Sequence, residues 1–274
     1  MRRPGSSSAR SSARPSSTVA ERAPLLISLA AFGASAVLKQ GQLHYTRLAR
    51  EAGADGVELR AELLRDAEAE LPALAATGLV AVYSDPAPLW RADDGGLNLA
   101  ALEQGLARAA WLGARRLKMS IGGFDAERSR DSLHELRRRL AGEPRVELVI
   151  ENDQTLRAGT LRALQRFSAE AETAGLDLGL VFDMGNWHWL GECPLRAAEA
   201  IGARVRYIHA KGVFRRPDRW VAVPLAESAA PWRAVLRALP QGQPWAIEYP
   251  LQGEDLVAVT RAELALLNET REIG

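Results

Sequence analysis

From Pro24 onward, short apolar runs alternate with amphipathic stretches. Each unit carries a β-branched or Leu-rich run, a polar loop, an Ala/Leu/Arg-rich stretch with apolar residues three and four apart, then Gly and the next run. A short continuous apolar run suits a strand buried on both faces, and spacing of three and four lays apolar side chains along one face of a helix. The pattern predicts eight strands, at Leu25–Leu29, Gly56–Leu59, Leu79–Tyr83, Arg116–Ser120, Glu147–Glu151, Leu178–Asp183, Val205–His209 and Trp245–Glu248. Helical patterns fall between them, among them Leu43–Ala52, Leu99–Leu112, Leu161–Ala174 and Asp255–Leu267. Gly53, Gly78, Gly113, Gly175 and Gly202 follow several helices, where a residue without Cβ is expected to end the helix in the left-handed conformation.

Strand-helix alternation builds parallel sheets, because a parallel neighbour needs a crossover long enough to carry a helix. Eight such units over about 250 residues match the size of a single α/β (β/α)8 barrel, whose catalytic groups sit at the C-terminal ends of the strands. An open doubly wound sheet would show a Gly-x-Gly-x-x-Gly turn after its first strand, and Ala30-Ala31-Phe32-Gly33-Ala34 has one glycine.

The chain of 274 residues is 47% hydrophobic and 25% charged, enough for one sizeable core. No apolar stretch reaches the roughly 18 residues of a membrane span, so no membrane partner is expected. The single Cys193 forms no internal disulfide, which fits a reducing compartment and a cytoplasmic location. Residues 1–20 are rich in Ser, Arg and Pro and too poor in apolar residues to pack, so they are expected to form a disordered leader ahead of a barrel domain at 21–274. Without the four leader arginines the net charge of +1 becomes 31 basic against 34 acidic residues, which is not the balance of a nucleic-acid-binding protein.

Chemistry concentrates where four predicted strands end: Val149-Ile150-Glu151, Val181-Phe182-Asp183, Tyr207-Ile208-His209 and Ala246-Ile247-Glu248. Two Glu, one Asp and one His converging at a barrel mouth supply carboxylate oxygens and an imidazole nitrogen. That mixture suits one divalent cation, with Mn²⁺ favoured and Mg²⁺, Co²⁺ or Zn²⁺ also compatible. Singly, each acid reads as a salt-bridge partner and His209 as a core histidine. Together, three carboxylates in a barrel interior require neutralisation. A bound cation can polarise a sugar carbonyl while one glutamate removes the neighbouring proton and the other returns it. Return to the opposite face of the same carbon is epimerisation, and return to the next carbon is aldose-ketose isomerisation.

These residues resemble the xylose isomerase-like barrel family of sugar isomerases and epimerases, over about Pro24 to Leu267. In the ketose epimerases of that family a Glu, an Asp, a His and a Glu follow the fifth to eighth strands, and Glu151, Asp183, His209 and Glu248 match in order. The resemblance implies that Glu151 and Glu248 are both metal ligands and the catalytic acid/base pair. It also implies a substrate-binding role for Arg215, six residues after the ligand His. The family's Glu six residues after the first ligand is Arg157 here; its His three residues after the Asp is Asn186, with His188 two further on. The runs Glu151-Asn152-Asp153-Gln154-Thr155 and Ile247-Glu248-Tyr249-Pro250-Leu251 are most similar to an epimerase of bacterial 2-ketogluconate utilisation operons, which implies a keto sugar acid as substrate. Arg157, Arg215 and Lys211 would supply the cations to grip its carboxylate.

Lys118 closes the fourth strand and either reaches a substrate oxygen or neutralises Glu151. Glu58 and Arg60 close the second strand and read as an ion pair over the mouth. Trp90, Trp187 and Trp189 read first as packing and second as a roof on the site. His44, His134 and Cys193 carry no assigned role. The expected partner is a small sugar or sugar acid, with self-association left open. Elimination of water on the same site and a non-catalytic sugar-binding barrel remain as alternatives. An abasic-site endonuclease is disfavoured, because it needs many His ligands and a basic face while this chain has four His in all.

Overall fold

The computed structural model describes residues 22–273, so the leader and its expected disorder lie outside the described residues. Its strands are β1 (Leu25–Ser28), β2 (Gly56–Arg60), β3 (Val80–Ser84), β4 (Arg116–Met119), β5 (Glu147–Glu151), β6 (Gly179–Asp183), β7 (Val205–Ala210), β8 (Gly212–Arg215), β9 (Trp220–Val223) and β10 (Trp245–Ile247). Eight of them close in the order β1-β10-β7-β6-β5-β4-β3-β2, all neighbours parallel, as the alternating pattern predicts. The expected strand ends shift by at most one residue, and β5 coincides with its expectation.

The helices are α1 (Ala34–Gln40), α2 (Gln42–Ala52), α3 (Ala67–Ala75), α4 (Leu99–Leu112), α5 (Arg130–Ala141), α6 (Leu161–Thr173), α7 (Asn186–Trp189), α8 (Pro194–Ile201), α9 (Trp232–Ala238) and α10 (Leu256–Ile273). Side chains fix several starts: Asn98 accepts from Ala101 N at α4 and Thr160 from Ala163 N at α6. Gly113 closes α4 with φ 74°, but Gly202 has φ −54°, which corrects the left-handed conformation expected there. Helix α10 runs six residues beyond the expected Leu267. No Gly or Pro falls between Leu267 and Ile273, and Arg271 in its last turn donates to the carbonyls of Ala23, Pro24 and Gln243 and lies over the Trp245 ring. No helix among the described residues is long and apolar enough to cross a membrane.

Two apolar clusters follow from strands buried on both faces. The larger fills the space between barrel and helices. The smaller is a layer inside the barrel, formed by Leu26, Val82, Val149, Val181, Tyr207 and Ala246. One residue pair further along the strands, toward their C-terminal ends, the inward positions turn polar: Ser28, Glu58, Lys118, Glu151, Asp183, His209 and Glu248. The apolar layer is therefore the floor of a polar cup.

A bulge sets the cup's register. Leu180 pairs with Val205, but Val181 pairs with Tyr207, so β7 carries one extra residue, Arg206. Without it Asp183 would face Ile208 rather than His209, since a slip of one residue turns every side chain to the other face.

Beyond β7 the chain does not enter a helix directly, as the repeating unit predicts. It forms the antiparallel hairpin β8–β9, with Gly212 opposite Val223 and Arg215 opposite Trp220. The polar tip Arg216-Pro217-Asp218-Arg219 reads as loop in sequence, and the half-buried Trp220–Val223 run is too short to stand out.

Candidate metal centre at the barrel mouth

Glu151 and Asp183 are the last residues of β5 and β6, His209 is the next to last of β7, and Glu248 directly follows β10. Their strand-end positions bring one oxygen or nitrogen from each within 4.8 Å of the others. His209 Nδ1 lies 2.9 Å from Glu151 Oε1, 2.8 Å from Glu248 Oε2 and 3.8 Å from Asp183 Oδ2. Asp183 and His209 are completely buried.

Local sequence holds Asp183 in place. Its backbone N–H donates to Asn152 Oδ1 (2.8 Å) and its carbonyl accepts from Asn152 Nδ2 (3.0 Å). Its Oδ1 accepts from the N–H groups of Gly185 and Asn186, leaving Oδ2 for the cup. Asn186, expected to meet substrate, closes this loop. Its Nδ2 donates to the Asn152 carbonyl at 2.8 Å, and its Oδ1 accepts from Gln154 and from Lys211.

The carboxylates are neutralised by the chain itself. Lys118 Nζ contacts Glu151 Oε2 (2.8 Å) and Glu58 Oε1 (3.2 Å), so it does what one of its two expected roles requires. Lys211 Nζ contacts Asp183 Oδ2 (2.5 Å) and Glu248 Oε2 (2.9 Å), and Arg60 Nη1 lies 3.0 Å from Glu248 Oε1. The Glu58–Arg60 ion pair expected from sequence is present but long, at 3.9 Å, and Glu58 makes a closer contact with His209 Nε2 at 2.8 Å. Its signal in sequence was an acid at an inward strand position, in phase with the other cup residues.

Burial pushes every carboxyl here upward, and the cations decide which ones escape. Lys118 and then His209 outweigh burial at Glu58 and hold it at about 2. Glu151 is held down by Lys118 and His209 against the same burial, and Glu248 by His209 and Lys211. At Asp183 burial wins over Lys211 and leaves the carboxyl above the usual range. Burial lowers the His209 imidazole, but Glu248 and Glu58 outweigh it and raise it well above the usual histidine value.

With Lys118, Lys211 and Arg60 present, neutralisation alone does not demand a metal, and the fit rests on the donor atoms. His209 Nδ1 is buried without a hydrogen-bond partner although Glu248 Oε2, itself paired with Lys211, stands 2.8 Å away. The oxygens lie beside the ring nitrogen, not along a hydrogen-bonding direction. Donors about 2.1 Å from a common cation lie about 3.0 Å apart at right angles and about 4.2 Å when opposite. Separations of 2.8, 2.9 and 3.8 Å fit that frame. The four residues can hold one divalent cation.

The other expected residues lie outside this cluster. Arg157 is exposed and donates to the Ala92 carbonyl at 2.8 Å. Arg215 is exposed on β8 with its guanidinium 5.7 Å from the Trp220 ring centre. Trp220, missed in the sequence, lies 4.9 Å from the ring of His188, which is half-buried on α7 with Nε2 unpartnered and its pKa lowered by burial. Trp90 and Trp187 are fully buried packing residues; Trp90 Nε1 donates to Ser132, and Trp187 lies against Phe182. His44, His134 and Cys193 are exposed.

No curated protein sequence matches the chain. Among solved structures it is similar to an L-ribulose 3-epimerase (TM-score 0.68, 17% identity, covering 92% of this chain and 95% of that one). It is also similar to the 3-keto-D-glucoside 4-epimerase of E. coli (TM-score 0.63, 17% identity, 90% and 100% covered). A third similar structure is the probable 3-DHS dehydratase of petrobactin synthesis from Bacillus anthracis (TM-score 0.64, 16% identity, 89% and 98% covered). At these identities the likeness is one of fold. The family described as xylose isomerase-like TIM barrel matches residues 46–270, which span most of the barrel and all four residues at its mouth. The chain belongs to the xylose isomerase-like TIM barrel family.

Proposed function

We propose that this protein is a divalent-metal-dependent sugar epimerase or isomerase acting on a ketose or a keto sugar acid, the latter in the manner of 2-ketogluconate metabolism. The observation that carries the reading is the convergence of Glu151, Asp183, His209 and Glu248 on one point, with the buried His209 Nδ1 left without a hydrogen bond.

A divalent cation bound there supplies Lewis acidity toward a substrate carbonyl and acidifies the neighbouring C–H. The chain supplies the proton transfers. Glu151 and Glu248 approach from β5 and β10, on either side of His209. One accepts the proton and the other returns it. Lys118 on Glu151, and Arg60 and Lys211 on Glu248, keep both carboxylates ionised and oriented between turnovers. Four carboxylates, counting Glu58, against three cations leave one negative charge, which a divalent cation converts to one positive. A substrate carboxylate, or the enediolate that develops from a neutral ketose, balances that charge.

Elimination of water on the same site is the second reading. Two buried ammonium groups beside the bases, on Lys118 and Lys211, favour it because each can hydrogen-bond a leaving hydroxyl. Incubating metal-loaded protein with keto sugars and sugar acids in D₂O tests both. Deuterium at one carbon with all oxygens retained supports epimerisation or isomerisation, loss of water supports elimination, and no exchange with any substrate contradicts the proposal.

A further inference from the structure

Glu58 is the one cup carboxylate outside the candidate ligand set, and it is completely buried. Each of its oxygens is engaged. Oε2 lies 2.8 Å from His209 Nε2; Oε1 lies 3.2 Å from Lys118 Nζ and accepts from Ser28 Oγ at 3.4 Å. An ionised carboxylate only accepts hydrogen bonds, so the proton between Glu58 and His209 belongs to Nε2. With Nε2–H committed to Glu58, the ring presents Nδ1 to Glu151, Asp183 and Glu248, and the ring cannot turn without breaking a buried charge-assisted bond.

We infer that Glu58 is the positioning residue of the metal centre: it fixes the orientation of His209 and, through Lys118, the placement of Glu151. The inference rests on the metal reading of the site and adds to it a residue that never touches cation or substrate. A merely structural role is the alternative, in which Glu58 serves as counterion to Lys118. The two roles separate because the contacts use different oxygens. Imidazole ligands held through the far nitrogen by a carboxylate bind metal about 10–100-fold more tightly than unsupported ones.

The test is Co²⁺ affinity and the Co²⁺ absorption spectrum, measured on the full chain. Glu58→Leu combined with Lys118→Leu removes the two charges together, so the cup's net charge is conserved and Glu151 loses its ammonium, which by itself favours cation binding, while the support of His209 is lost. The expected result is a Co²⁺ affinity about 10–100-fold weaker than wild type, with a shifted spectrum. Glu58→Gln keeps an acceptor for Nε2–H and serves as the conservative variant. It should recover part of that affinity and the wild-type spectrum, and it remains informative if the double variant does not fold. Wild-type affinity and spectrum in the double variant, or in Glu58→Gln no better metal binding than in Glu58→Leu, overturns the positioning role and leaves the metal centre standing. Failure of the wild-type protein to bind Co²⁺ overturns the metal centre itself.

Discussion

Lys118 Nζ lies 2.8 Å from Glu151 Oε2, at a depth where the lysine is almost wholly shielded from water. A buried ammonium is tolerated only with partners, and Lys118 has two, Glu151 and Glu58. Removing it leaves two buried carboxylates facing each other. Lys118→Met is therefore expected to destabilise the metal-free protein by about 3–5 kcal/mol, read from the urea unfolding midpoint. An unchanged midpoint would show that the pair is not formed.

Lys211 competes with any cation for Asp183 Oδ2 and Glu248 Oε2. Its stem passes so close to Gly185 that a Cβ there would lie 2.5 Å from Lys211 Cδ. Lys211→Met should tighten Mn²⁺ binding about tenfold or more by removing a like charge from the site. Gly185→Ala should move the binding constant in the same direction by displacing the ammonium. Titration calorimetry with Mn²⁺ reads both, and weaker binding in Lys211→Met would contradict the competition.

The fold was legible because each apolar run is continuous and each helix amphipathic, so eight strands and the closed α/β barrel follow from periodicity alone. The four candidate ligands were legible because each ends such a run. The hairpin was not, since β8 and β9 are short and half-exposed and pack where a helix is expected. The Glu58–Arg60 pair was legible, but its closer partners were not. Residues two apart on one strand point the same way into the barrel, so the pair forms at 3.9 Å while each also reaches a nearer group across the barrel, Glu58 at His209 and Arg60 at Glu248. Arg157 was expected at the substrate from its offset to Glu151; its guanidinium donates to the Ala92 carbonyl, a loop contact that periodicity does not reveal.

His209 gives the site a pH dependence with a definite sign. Its folded pKa is raised, so its contribution to the stability of the metal-free protein is complete below its unfolded value of about 6.5 and fades as pH rises through the folded value. Metal binding runs the other way, because Nδ1 must lose its proton first. Mn²⁺ affinity should rise with pH by roughly tenfold per unit below that raised value, with about one proton released per ion bound. Calorimetry in two buffers of different ionisation heat measures the proton count, and a count of zero would contradict it.

Glu151→Gln removes a base while preserving the shape of the side chain. It should destabilise the metal-free protein less than Lys118→Met does, because Lys118 keeps Glu58 as a partner, and slow solvent-deuterium incorporation into substrate by about 10²–10⁴-fold at saturating metal. Arg157→Ala removes a guanidinium engaged by the Ala92 carbonyl and should leave the preference between sugar acids and neutral ketoses unchanged, and a shift toward neutral ketoses would restore Arg157 as a carboxylate clamp. Competition assays with paired substrates measure that preference.

The claim on which all of this turns is that Glu151, Asp183, His209 and Glu248 share one cation. Anomalous scattering from a crystal grown with Mn²⁺ addresses it without any assumption about substrate. A single peak about 2.0–2.2 Å from one donor atom of each of the four residues is the predicted result. A map with no peak at the mouth, or with the ion held by other residues, would contradict the account.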